Sequence, residues 1–192
     1  MEAKMDTKPA VLVTGASSGI GATYADRFAR RGHDLVLVAR SRDKLDALAR
    51  RITDETGRAV EVFPADLGDR ASLATVEDKL RTDASITLLG NNAGIGTHTP
   101  LLDSDVDQMT RMIELNVTAL TRLSYAAVPG FVARGQGTIV NISSIVSIAP
   151  EILNGVYGGS KAFVTAFSQS LHHELAAKGV RVFYTQVFRD NF

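Results

Sequence analysis

Short apolar runs alternate with longer helical segments along this chain, and that alternation restricts the fold more than any other feature. The runs are AVLVT (10–14), DLVLVA (34–39), AVEVF (59–63), ITLLG (86–90), GTIVNI (137–142) and VRVFYTQV (180–187). Segments with helical periodicity lie between them, at about 19–31, 42–56, 69–83, 104–134 and 157–178. The runs are β-branched and apolar on both faces, as strands covered by helices on both sides should be. Strand–helix alternation with short connections predicts an α/β fold with a doubly wound parallel sheet and right-handed crossovers. Ligands bind such sheets at the carboxyl ends of the strands, so the residues that follow each strand carry the functional information.

Composition narrows the class further. The 192 residues fit one domain, 1–192, large enough to bury a core. Apolar residues at 45% and charged residues at 22% are those of an ordinary soluble protein. Acids and bases balance at 21 each, so no global field favours nucleic acid or an anionic membrane. Cysteine is absent, which excludes disulfides and thiolate chemistry. The amino end, MEAKMDTKPA, lacks the apolar run of a signal peptide, and no stretch is long enough to span a bilayer. The expectation is a soluble cytoplasmic protein.

TGASSGIG (14–21) follows the first strand. Its glycines, at 15, 19 and 21, match neither the G-x-G-x-x-G spacing nor a P-loop. The mechanics are similar: Gly15 permits a tight turn, while Gly19 and Gly21 let the backbone approach a pyrophosphate at a helix N-terminus. After the second strand, where an acid often holds ribose hydroxyls, the chain reads Ala39, Arg40 and Arg42. A guanidinium suits a 2′-phosphate, which makes Arg40 the candidate, with Ser17 adding a hydroxyl; Arg42 reads as a solvated first-turn residue. After the third strand, Asp66 either meets an adenine ring or caps the helix that begins near Asp69. After the fourth, Asn91, Asn92, Gly94 and Gly96 make a loop that can lie under a flat ligand, with one asparagine tying strands together. Ser143 and Ser144 follow the fifth.

VYGGSKAF (156–163) places Tyr157 and Lys161 four apart, on one helix face. The two glycines between them, each costing about 1 kcal/mol in a helix interior, point to a close approach to the backbone there. DSDVDQMTRMIE (103–114) mimics the acids of an EF-hand loop, but Gln108 stands where the turn needs Gly, and the apolar spacing reads as helix. Ser104 and the neighbouring acids suit that helix's start. His172 and His173 are adjacent and diverge on a helix, so they read as solvated or packing residues; no metal site is expected.

Together these motifs resemble the classical short-chain dehydrogenase/reductases. TGASSGIG, NNAG (91–94), Asn116 in LNVTAL, NISS (141–144) and YGGSK (157–161) come in the family's order and spacing over nearly the whole chain. The resemblance implies a Rossmann-like sheet, here of six strands, and an enzyme that interconverts a carbonyl and an alcohol by hydride transfer. It implies NADP(H) as cofactor, with NAD second. Tyr157 is then the general acid/base, aided by the Lys161 ammonium, which also holds the nicotinamide ribose. Ser144, thirteen residues before Tyr157, takes the carbonyl hydrogen bond ahead of Ser143, and Asn116 organises a relay water. Gly15, Ser17, Ser18, Gly19, Ile20, Gly21, Arg40, Asp66, Leu67, Asn92, Ala93 and Gly94, with Tyr157 and Lys161, are the implied cofactor contacts.

The partners implied are a small carbonyl or alcohol substrate and a second copy, through the helices near 104–134 and 157–178, with no nucleic acid or membrane. After GVRV the family continues through a Pro-Gly turn, a substrate loop, a helix and a seventh strand, where this chain reads FYTQVFRDNF. The expectation is therefore a domain incomplete at its C-terminus, with its sixth strand an exposed edge. The alternative function is a module that holds cofactor without turnover. Gly90 is expected to weaken the fourth strand.

Overall fold

A computed structural model describes residues 9–150 and 154–187. All six expected strands form: β1 (Ala10–Thr14), β2 (Asp34–Ala39), β3 (Val60–Pro64), β4 (Ile86–Asn91), β5 (Gly137–Ser144) and β6 (Val180–Val187). They make one parallel sheet in the order β3-β2-β1-β4-β5-β6. The order reverses between β1 and β4, and the carboxyl ends there open a crevice.

Period-two alternation explains how helices cover both faces. Val11, Val13, Leu35 and Leu37 point to one side, where they meet α1 (Gly19–Arg30) and α2 (Arg42–Thr56). Leu12, Val36, Val38 and Leu89 point to the other, against α3 (Arg70–Thr82), α5 (Leu120–Ala133) and α6 (Gly155–Leu175). The central strands are apolar on both faces, as expected. The edge strand β3 departs from that reading: Glu61 is exposed and binds Lys79 of α3 at 2.7 Å.

The segment predicted as one helix over 104–134 is three pieces. Asp105, not Ser104, caps α4 (Val106–Ile113) by accepting from the Asp107 amide at 2.9 Å. A π-helical stretch, Glu114–Ala119, then links α4 to α5. Period alone cannot reveal that extra residue per turn, and such stretches recur at functional sites. The EF-hand look-alike is thus helix over 106–113. No helix among the described residues is long and apolar enough to cross a membrane.

Candidate active site

The glycine turn after β1 is built from both sides. Gly15 and Gly19 take left-handed backbone, at φ 64° and 55°. A Cβ on Gly21 would collide with the Gly15 carbonyl oxygen, so glycine there lets the first turn of α1 close on the loop. A Cβ on Gly19 would meet nothing, so that face stands open. Ser18 caps α1 without a side-chain hydrogen bond, which leaves the first-turn amides unclaimed by a side chain. Ser17 is half-buried, whereas Ser18, Gly19 and Ile20 are exposed on the crevice end of the helix. Arg40 is exposed at the end of β2 and makes no ion pair among the described residues. Arg42 instead pairs with Asp46 on the surface, as a solvated residue should. An open glycine turn, free helix amides and an uncommitted guanidinium fit a phosphorylated dinucleotide.

After β3, Asp69 rather than Asp66 caps α3, accepting from the Ser72 amide at 2.7 Å. Asp66 is exposed, and its Oδ1 accepts from the Gly68 amide at 2.9 Å. Leu67 lies in the core.

Both asparagines at the end of β4 turn out to be structural ties, where only one was expected. Asn91 donates to Asn141 Oδ1 of β5 at 3.0 Å and to Ser124 Oγ of α5 at 3.2 Å. Asn141 passes the ladder to Ser168 of α6 at 2.8 Å. Asn92 Nδ2 donates to the Thr14 and Gly15 carbonyls at 3.0 and 3.2 Å, bracing the glycine turn. Thr14 completes the brace: its Oγ1 accepts from the Asn92 and Ala93 amides, each at 3.0 Å.

Tyr157 and Lys161 share a face of α6, with Asn154 as its cap. The Tyr157 ring lies against Gly96, where a Cβ would come within 3.0 Å of it. The glycine pair divides its work. Gly158 packs on Pro150, a Cβ there falling 3.1 Å from the proline, whereas one on Gly159 would meet nothing. Lys161 is buried, and its ammonium donates to the Ile142 carbonyl at 2.8 Å. Burial pushes its pKa down from 10.5 to about 8.

A Cβ on Gly94 would stand 3.0 Å from Asn116 Oδ1 and 3.5 Å from Lys161 Nζ, so glycine lets this loop close over both groups. The Asn116 side chain is engaged in full. Its Oδ1 accepts from the Ile95 amide at 2.9 Å, and its Nδ2 donates to the Ile95 carbonyl at 2.8 Å and to Ser160 Oγ at 3.1 Å. Ser144 ends β5 and caps the short turn 145–147, its Oγ 3.5 Å from the Val146 amide and from the Val187 carbonyl. Ser143 faces away from the crevice: its Oγ donates to the Lys161 carbonyl at 3.1 Å and pairs with Thr165 at 2.8 Å.

Sequence reasoning passed over Thr14 and Ser160 as functional residues, although both stand inside motifs it singled out. Small hydroxyls beside a catalytic-type residue are the available signal. His172 and His173 are exposed, and His172 Nδ1 lies 3.2 Å from the Val182 carbonyl.

Comparison with known proteins identifies the family. The short chain dehydrogenase family model matches residues 9–187. The very-long-chain 3-oxoacyl-CoA reductase of Anas platyrhynchos is 37% identical over 178 residues, covering 89% of this chain and 56% of its own length. The chain thus spans about half the length of the curated relatives it matches. A short-chain dehydrogenase from Sphingobium yanoikuyae, solved in complex with NADPH, is 55% identical at a TM-score of 0.90, over 92% of this chain and 69% of that one. The bulky-bulky ketone specific alcohol dehydrogenase of Comamonas testosteroni is 48% identical at a TM-score of 0.91, over 93% and 72%. A match across 9–187, on a parallel sheet with its glycine turn and its Tyr157–Lys161 helix at the same crevice, makes this chain a member of the short-chain dehydrogenase family.

Proposed function

We propose that this chain is an NADP(H)-dependent oxidoreductase that interconverts a ketone and a secondary alcohol, with Tyr157 as general acid/base. The observation that carries the reading is the buried Lys161 ammonium one helical turn from Tyr157, beside the loop that Gly94 and Asn116 hold in place. The NADPH bound to the Sphingobium relative and the ketone specificity of the Comamonas relative support the cofactor and the substrate class.

The first turn of α1, with Ser17 and Ser18, holds the pyrophosphate, and Arg40 takes the 2′-phosphate. Bound there, NADPH would supply the hydride for the carbonyl carbon. Ser144 donates a hydrogen bond to the carbonyl oxygen, and the Tyr157 hydroxyl gives that oxygen its proton. The Lys161 ammonium offsets the charge left on the phenolate. Asn116, with its side chain committed to Ile95 and Ser160, fixes the loop over Lys161. Exposed Ile113, Tyr125 and Phe163, on α4, α5 and α6, support a homodimer through these helices.

Tyr157→Phe tests the assignment. NADPH affinity stays within about twofold, while turnover falls by at least about a hundredfold, the usual contribution of a general acid. Unchanged turnover would remove Tyr157 from the mechanism.

A further inference from the structure

Asn154 does more than start α6. Its Oδ1 accepts from the Val156 amide at 2.9 Å and from the Tyr157 amide at 3.4 Å, which is ordinary capping. Its Nδ2 donates 2.7 Å across the crevice to the Thr99 carbonyl. The side chain is 6% exposed. Capping alone is served equally well by Ser or Asp, since it needs only an acceptor. A donor turned the other way at the same position requires an amide.

The loop that Asn154 reaches is tied at two other points: to Thr14 through the Asn92 and Ala93 amides, and to Asn116 through Ile95. Beyond Gly96, which supports the Tyr157 ring, the next tie to another element is Thr99. Residues 97–99 also close on themselves, with Thr97 Oγ1 2.8 Å from Thr99 Oγ1 and accepting from the Thr99 amide at 3.1 Å.

We propose that Asn154 is a positioning residue that latches loop 97–99 to the amino end of α6, so that one wall of the substrate crevice and Tyr157 keep a fixed relation. Its effect on substrate rests on the oxidoreductase reading above. The latch itself is a property of the fold.

Asn154→Ser separates the two tasks, because serine keeps the cap and cannot span to Thr99. Asn154→Asp keeps the cap and turns an oxygen toward the Thr99 carbonyl. By hydrogen–deuterium exchange on the whole chain, amides of 97–99 exchange about fivefold faster in Asn154→Ser, the factor for one net hydrogen bond, and faster still in Asn154→Asp. The Val156 and Tyr157 amides are unchanged in both. With NADPH and a ketone, KM for the ketone rises about fivefold while the NADPH dissociation constant holds. Exchange at 97–99 equal to that of the unsubstituted chain in either variant overturns the latch. Faster exchange with an unchanged KM overturns its role toward substrate. If the unsubstituted chain binds NADPH and oxidises none, the oxidoreductase reading fails, and the exchange data decide the latch alone.

Discussion

Burial of the Lys161 ammonium, 7% exposed, has a consequence for stability as well as for chemistry. Its pKa falls from 10.5 to about 8 because the folded chain desolvates the charge. Between those two values the unfolded chain holds a proton that the folded chain has released, so stability rises with pH across that window. Below about pH 8 both states are protonated, and the whole penalty, about 3 kcal/mol, is present. Lys161→Met therefore flattens the rise in urea-denaturation stability between pH 8 and 10, and an undiminished rise would assign it to another group. Arg40 gives the second prediction at this scale. Arg40→Asp weakens NADPH binding by about tenfold or more and leaves NADH binding within about threefold, read by nicotinamide fluorescence. Equal loss for both cofactors would mean that Arg40 does not face a 2′-phosphate.

Helices and strands set the site by contacts between elements that lie far apart in sequence. The bounds of β1, β2 and β6 follow directly from their apolar runs. The glycine turn, Tyr157 and Lys161 were equally legible, because each rests on local spacing. What stayed hidden depends on partners. The resemblance marks Asn92 as a cofactor contact and Asn116 as the holder of a relay water, but neither motif foretells that Thr14 braces the one and Ile95 closes on the other. The π-helical stretch was invisible because it needs packing to favour an extra residue. Two glycines separate space from strain at this scale. A Cβ on Gly90 would sit at ordinary contact, 3.5 Å from the Leu12 carbonyl. Gly90→Ala accordingly raises stability by about 0.4–1 kcal/mol, whereas Gly21→Ala, which meets the Gly15 carbonyl, loses NADPH binding. Thermal denaturation with a binding titration checks both, and a destabilised Gly90→Ala would show that β4 has no room.

The crevice between β1 and β4 exists because the strand order reverses there, so the loops that follow β1 and β4 part to opposite sides of it. The Asn91–Asn141–Ser168 ladder ties the carboxyl ends of β4 and β5 to α6, so the strands and the Tyr157 helix share one polar brace inside an apolar core. The central claim is that this assembly binds NADPH and uses it. The direct test is to titrate the 192-residue chain with NADPH and then NADH by nicotinamide fluorescence, and to add a bulky ketone at saturation. The account predicts tighter binding of NADPH than of NADH, followed by oxidation of NADPH when the ketone is added. Binding without oxidation would contradict the catalytic reading and leave a cofactor-holding module, and binding of neither would contradict the site as a whole.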